Sequence, residues 1–238
     1  MELYIIRHGQ STNNLLPDPT GRVCDPPLTA LGERQARYVA NHLANGARQV
    51  HQAGNWREIG YRLTKLYTSA MLRSLQTAAP IGAALGMAPE VWVDVHEEGG
   101  MFLEDDLGRS TGYPGLTRAE ISDQFPGFVL PDNVTGSGWW DPARGKEDEE
   151  SRQERAARVA ATLRQWGNRE ERIGIVTHGG FANRLLQALF DRCDDTPHGM
   201  IYYHYNTAIT RVDFTADGRV ALHYSNRIEH LQPDAISW

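Results

Sequence analysis

Leu3-Tyr4-Ile5-Ile6-Arg7-His8-Gly9-Gln10-Ser11-Thr12-Asn13 decides how the rest of the chain is read. A continuous apolar run ends abruptly in an arginine, a histidine and a glycine. A run this short reads as a buried strand rather than a helix. In an open parallel sheet, ligands sit just past the carboxyl ends of the strands. The first strand therefore delivers a guanidinium and a nucleophile-capable imidazole to the place where such folds do chemistry. The plainer reading is a salt-bridged arginine and a hydrogen-bonded histidine at a strand end, and the triplet alone does not separate the two.

Outward from this strand, helical and extended patterns alternate. Leu31, Gln35, Val39 and Leu43 follow near-helical spacing, with Thr29 as N-cap and Asn45-Gly46 as the end. Residues 46–62 are polar and mixed and read as a surface excursion. Leu63 to Thr68 is the second predicted strand. A helix is expected from near Ser69, with Leu72, Leu75 and Ala79 on one face and Pro80 to kink or end it. Val91-Trp92-Val93-Asp94-Val95 alternates as a third strand would.

Residues 99–150 change character, with many glycines, prolines and acids and a short helical candidate at 117–124. This is a long surface insertion, of the kind that often serves as a lid or binding loop. Helix returns at 150–166, where Ala156, Val159, Leu163 and Trp166 make the apolar face and the charged neighbours a solvated one. Ile173 to Val176 is the fourth strand, and a helix begins at Gly179-Gly180. Ile209–Phe214 and Arg219–Tyr224 flank Asp217-Gly218, which suits a tight hairpin. Strands alternating with helices and closed by a hairpin predict a mainly parallel α/β sheet with an antiparallel edge.

Composition sets the boundaries. The chain has 238 residues, 40% of them hydrophobic, which supports one substantial core. Its net charge of −6 argues against a general nucleic-acid binder. An anionic small molecule remains a suitable partner, because binding depends on local field. The two cysteines, Cys24 and Cys193, lack CxxC spacing, so neither a disulfide framework nor a zinc ribbon is expected. No apolar run reaches membrane-spanning length and no secretory signal is evident, so a cytoplasmic setting is expected.

Four polar groups fall at equivalent topological places. Arg7 and His8 follow the first strand, and Arg73 lies one turn into the helix after the second. His96, Glu97 and Glu98 follow the third, and His178 follows the fourth. If the strands share one parallel sheet, all four groups face one crevice. Two guanidiniums match phosphate oxygens with planar forks of donors. A histidine and the N–H groups of Gly179 and Gly180 at a helix N-terminus add further donors. A second histidine can attack phosphorus, and a nearby carboxyl group can protonate the departing oxygen. Together they suit phosphoryl transfer in which cationic side chains take over the charge stabilisation that Mg²⁺ supplies elsewhere.

Arg7 to Asn14 resembles the signature of the histidine phosphatase superfamily, the phosphoglycerate mutase-like proteins. Pro27 to Ala36, Tyr67 to Ala78, Val176 to Gly180 and Tyr205 to Thr210 resemble its later blocks in family order. Only 46–62 and 99–150 lie outside clear resemblance. The resemblance implies a three-layer fold with helices on both sheet faces, and a single domain over 1–238 with an insertion or lid around 99–150. It implies His8 as the nucleophile that carries a transient phosphoryl group. Arg7, Asn14, Arg73 and His178, with Gly179 at the helix start, would bind that group. The family's acid follows the third strand in one branch, which matches Glu97, with Glu98 as the rival. No metal or cofactor is implied.

Other signals are weaker. Gly108-Arg109-Ser110-Thr111-Gly112 fits a serine-hydrolase elbow but lacks its flanking strand and helix. His96-Glu97 begins like a zinc-protease pair, but Gly100 stands where the second histidine belongs. His198, His204, His223 and His230 are expected at the surface or satisfied in the core. Trp139-Trp140 suits either a substrate wall or the insertion's own core. The expected activity is hydrolysis of small phosphomonoesters through a phosphohistidine. A phosphoglycerate mutase, or a regulatory protein on a retired catalytic scaffold, is the alternative. A mutase would need extra cations, and the insertion offers Arg109, Arg118, Arg144 and Lys146 among many acids.

Overall fold

The computed structural model describes residues 1–52, 55–190 and 200–238, with the backbone alone for 48–52 and 55–58. Cys193 and His198 lie outside the described residues. The elements follow in order as β1 (Glu2–Arg7), α1 (Ala30–Asn45), β2 (Ala47–Gln52), β3 (Asn55–Gly60), β4 (Lys65–Thr68), α2 (Leu72–Leu85) and β5 (Glu90–Val91). The insertion carries β6 (Phe102–Glu104), β7 (Ser110–Gly112) and α3 (Arg118–Gln124). The chain closes with α4 (Glu149–Trp166), β8 (Arg172–Thr177), α5 (Gly179–Phe190), β9 (Ile209–Phe214) and β10 (Val220–Arg227). Among the described residues, no helix is long and apolar enough to cross a membrane.

Six strands form the central sheet in the order β10-β9-β1-β8-β4-β5. β1, β8, β4 and β5 run parallel, and β9 and β10 add the antiparallel edge. The unbroken apolar run of β1 is explained by two cores. Leu3 and Ile5 face one side with Ile173, Ile175, Val159, Leu163, Phe181 and Leu185. Tyr4 and Ile6 face the other with Val39, Leu43, Leu66, Ile81 and Val176. Each face is covered by its own helix pair, α4 with α5 and α1 with α2. Burying an aliphatic side chain this fully stabilises by about 1.5–3 kcal/mol, so an interior polar residue in β1 would cost the fold on either side.

Several boundaries differ from the sequence reading. α2 starts at Leu72, because Ser69 turns its Oγ to the Met71 N–H and to His178 instead of capping the helix. α2 also runs through Pro80. Buried Leu75, Ala78 and Ile81 hold it against its neighbours, and that packing outweighs the one hydrogen bond Pro80 cannot make. The third strand is only Glu90–Val91, and Val93–Val95 is a 3-10 turn. Its alternation has another cause: Val91 and Val93 enter a third cluster while Val95 enters the β1 core. Residues 47–60, read as an excursion, contain the antiparallel β2–β3 ladder.

That third cluster belongs largely to the insertion. Met101, Ile121, Phe125, Val134, Trp139 and Trp140 pack on Met71 and Leu75 at the start of α2. Trp139 and Trp140 are therefore core residues rather than a substrate wall. α4 holds a further correction. Its charged face is not uniformly solvated, since Arg155 is only 2% exposed.

Candidate active site

The carboxyl ends of β1, β4 and β8 meet at a cavity of about 690 Å³ lined by Arg7, His8, Asn14, Arg73, Glu97 and Glu98, among others. His8 leaves β1 as its N–H donates to Thr177 O (2.9 Å), which ties it to the end of β8. Gly9 is required next, because a Cβ there would stand 2.5 Å from Gly32 O of α1. The block at 205–210 holds the same backbone from the other side. Asn206 Nδ2 donates to His8 O (3.2 Å), and Thr207, at φ +58°, donates its N–H to Arg7 O (3.1 Å).

The His8 ring is 3% exposed and fixed at both nitrogens. Nδ1 lies 2.6 Å from Gly9 O, so it carries the proton and donates. Nε2 accepts from Arg73 Nε at 3.1 Å, so its lone pair is the reactive one. Burial, then the charges of Arg73 and Arg7, hold the imidazole's pKa well below the ordinary histidine range. His8 is thus a neutral imidazole held in one tautomer.

Around it stand one half-buried and one buried cation. Arg73 is 8% exposed, and desolvation lowers its pKa against the pull of Asp25 and Glu97. Its nearest carboxylate is Asp25, with Nη1 to Oδ1 at 3.9 Å. Arg7 donates Nη1–H to His204 O (2.6 Å), and burial brings its pKa down to about 10. His204 is itself held by Thr210 Oγ1 at 2.9 Å. His178 is fully buried behind the cavity surface, its ring centroid 5.0 Å from that of His8. Its Nε2 meets Ser69 Oγ (2.8 Å) and Ser74 Oγ (3.2 Å). Arg7 Nε and His178 Nδ1 are buried and have no hydrogen-bond partner among the described residues. A buried donor left unmet costs about 1–3 kcal/mol, so the Arg7 Nε–H beside this imidazole calls for an acceptor.

The two carboxylates separate cleanly. Glu97 Oε1 accepts from the N–H of Phe181 (2.9 Å) and Oε2 from that of Gly180 (3.3 Å), at the N-terminus of α5. Glu97 pulls on the pKa values of both Arg7 and Arg73, so it faces the cationic end. Glu98 is taken by Arg184 Nε (2.8 Å) and Arg152 Nη1 (3.5 Å). The Gly180 N–H, a candidate phosphate donor in the sequence reading, is thereby occupied. At Gly179 a side chain would press on Arg7, with Cβ 3.4 Å from Nε. Asn14 is exposed at the cavity and anchors itself through Oδ1, which accepts from Ser11 N–H at 2.9 Å. His96 follows the same turn as Glu97 but leaves the cavity, its ring tilted against Trp139 and edge-on to Trp140.

Sequence reasoning missed Asp25, Ser69, Ser74, His204 and Asn206. Ser69, Ser74 and Asn206 lie inside the blocks named above without a role of their own, and His204 reads in sequence only as a surface or satisfied core residue. Their parts emerge from asking what holds Arg73, His178, Arg7 and the His8 backbone. Asp25 is the most unusual of them. Burial raises its pKa to about 6, its Oδ1 accepts from the Leu72 N–H at 3.0 Å, and its Oδ2 has no partner among the described residues. Among the described residues there is no group of three or more metal-ligating side chains.

Known proteins resemble this chain in sequence and in fold. Phosphoglycerate mutase-like protein 1 of Arabidopsis thaliana is 26% identical over 220 residues, 80% of this chain and 72% of that protein. PE-PGRS family protein PE_PGRS11 of Mycobacterium tuberculosis is 36% identical over 100 residues, 42% of this chain; the match spans only 15% of that much longer relative. Among solved structures, a mycobacterial glucosyl-3-phosphoglycerate phosphatase with VO3 superposes with a TM-score of 0.57 at 23% identity, covering 95% of this chain and 99% of that one. Phosphoserine phosphatase of Entamoeba histolytica in complex with 3-phosphoglyceric acid gives 0.59 at 20% identity, covering 97% and 99%. At these identities the structures establish the shared fold. The family model of the histidine phosphatase superfamily, branch 1, matches residues 3–227, and the chain belongs to that superfamily.

Proposed function

We propose that this protein is a phosphatase that hydrolyses small phosphomonoesters through a phosphohistidine on His8, without a metal ion. One observation carries the reading: two buried nitrogens without partners among the described residues, the Arg7 Nε–H donor and His178 Nδ1, stand beside a neutral imidazole whose Nε2 is already addressed by Arg73. A phosphoryl group supplies acceptors for Arg7 and Arg73, and for His178 in the tautomer that carries its proton on Nδ1. As Arg73 turns from His8 to the phosphoryl oxygens, it frees the Nε2 lone pair for attack.

The cycle has two displacements. His8 Nε2 forms a bond to phosphorus while the ester P–O bond breaks, and the leaving oxygen takes a proton from Glu97. Water then attacks the phosphoryl group and the P–N bond breaks. The Glu97 carboxylate accepts the water's proton, and His8 recovers its lone pair. Arg7, Arg73 and His178 spread over the equatorial oxygens, where preorganised donors act most strongly in a dry site. Asn14 and the start of α5 at Gly179 complete the phosphate end.

The outer wall favours hydrolysis over return of the phosphoryl group to a second anionic substrate. The insertion's four candidate cations are already engaged, and only Lys146 among them lines the cavity; Arg22, an exposed cation that precedes the insertion, lines it as well. Lys146 pairs with Glu104 (2.7 Å), Arg109 with Asp105 (2.7 Å), Arg118 with the carbonyls of Val134 and Pro131, and Arg144 lies over Trp140. The test is a phosphomonoester panel with EDTA present, run on wild type and His8→Ala and followed by phosphate release and by 2-/3-phosphoglycerate interconversion. Release that survives EDTA and vanishes in His8→Ala is expected. Interconversion without release, loss of turnover in EDTA, or no turnover on any ester would overturn the reading.

A further inference from the structure

Glu97 stands on a short turn between the Val93–Val95 segment and the insertion, and such a turn does not fix a side chain by itself. Behind it lies the most deeply buried ion pair of the described residues. Arg155 of α4 and Glu147 at the end of the insertion have side chains that are each 2% exposed. They meet in a bidentate fork, Nε to Oε1 at 2.8 Å and Nη2 to Oε2 at 2.6 Å. The remaining nitrogen, Nη1, donates to two carbonyls of the acid-bearing turn, Asp94 O (2.9 Å) and His96 O (2.8 Å). Glu147 grips the same turn from its other end, its N–H donating to Gly99 O at 2.9 Å. Three backbone bonds thus bracket Glu97 at residues 94, 96 and 99. The guanidinium also lies over the Phe181 ring, 4.9 Å from its centroid, and Phe181 N–H is a donor to Glu97.

We propose that the Arg155–Glu147 pair is a positioning clamp for Glu97, and that the insertion's contribution to the reaction includes closing it. Stability alone is a weak reason for such a pair, because apolar residues of similar volume often replace buried ion pairs at no cost. What apolar residues cannot replace is the set of donors to the 94 and 96 carbonyls. The clamp acts on the acid and leaves the phosphate end, held by Arg7, Arg73 and His178, untouched. This rests on the reading of Glu97 as the acid, so its test needs one arm that does not depend on turnover.

The variants are the volume-conserving double Glu147→Leu/Arg155→Met, and Arg155→Lys, which keeps a charge for Glu147 but not the three-way fork. The first arm compares an alkyl phosphomonoester with p-nitrophenyl phosphate, whose leaving group needs no proton. The clamp predicts at least a tenfold loss of kcat on the alkyl ester and less than a threefold change on the aryl ester. Inhibition by inorganic phosphate should stay within threefold of wild type, and Arg155→Lys should fall between the two. Equal losses on both esters, or no loss in a folded double variant, would overturn it. The second arm is amide hydrogen exchange: protection of the Gly180 and Phe181 N–H groups should fall at least tenfold while β1 and β8 keep theirs. Unchanged protection at 180 and 181 overturns the clamp whatever the kinetics. Wild-type inactivity on both esters would instead overturn the phosphatase reading and leave the exchange arm to decide. If the double variant does not fold, Arg155→Lys carries both arms.

Discussion

The inner end of the cavity and its outer wall use the same residue types and differ in how their charges are met. At the inner end, Arg7 is half-buried and Arg73 buried, desolvation lowers the pKa values of both, and the carboxylate nearest Arg73 stands 3.9 Å away. Farther out, Lys146 on the cavity wall and Arg109 beyond it hold carboxylates at 2.7 Å and reach water. The first arrangement leaves cations short of acceptors; the second is already neutral and screened by water. On the proposed function, binding of the phosphoryl group and recognition of the rest of the substrate are separate problems for separate parts of the chain.

Glu97 against Glu98 breaks or sharpens this contrast most strongly. Glu97→Gln should lower kcat on an alkyl phosphomonoester by about 10²–10⁴-fold. Glu98→Gln, whose carboxylate is committed to Arg184 and Arg152, should cost less than about tenfold. Steady-state kinetics of the two variants decide it, and the reverse order would move the acid to Glu98. Arg73→Lys comes next. A lysine cannot address both His8 and the phosphoryl oxygens with a planar fork, so kcat/KM should fall about 10²-fold.

A smaller effect concerns Asp25. Its folded pKa of about 6 exceeds its ordinary 3.8, so across that interval the folded state holds the extra proton. Asp25 therefore costs stability as pH rises through 6, and does so least in acid. Asp25→Asn should gain on wild type by about 1 kcal/mol between pH 5 and pH 8, as read by denaturant unfolding at both values. A gain that shrinks with rising pH would contradict the burial argument. Smallest of all, Lys146→Ala should change kcat/KM by less than about twofold. A large loss confined to substrates with a second anionic group would show that the outer wall recognises charge after all and would restore the mutase reading.

What was legible in the sequence follows the same division. The inner end could be read because each of its groups sits next to a strand in a contiguous block: Arg7-His8 after β1, Arg73 in the first turn of α2, Glu97 after the Val93–Val95 turn, His178 before α5. The doubly buried β1, the Thr29 cap and the start of α5 were readable for the same reason, since local pattern and tertiary burial agree there. The supporting residues were not. Arg155 sits among exposed charges at helical spacing, and nothing in one dimension distinguishes it from Arg152 or Arg158. Its burial is created by Glu147 and by carbonyls 59 and 61 residues away in the chain. Pro80 and the Val91–Val95 run misled in the opposite sense. A local rule was sound, but packing into separate clusters outweighed it.

The most direct measurement of the central claim is a rapid alkaline quench of wild-type protein turning over a phosphomonoester, followed by peptide mass spectrometry. The account predicts an acid-labile, base-stable phosphoryl adduct on His8 that forms before phosphate release and is absent from His8→Ala. Steady turnover with no adduct on His8, or an adduct on His178 instead, would contradict it.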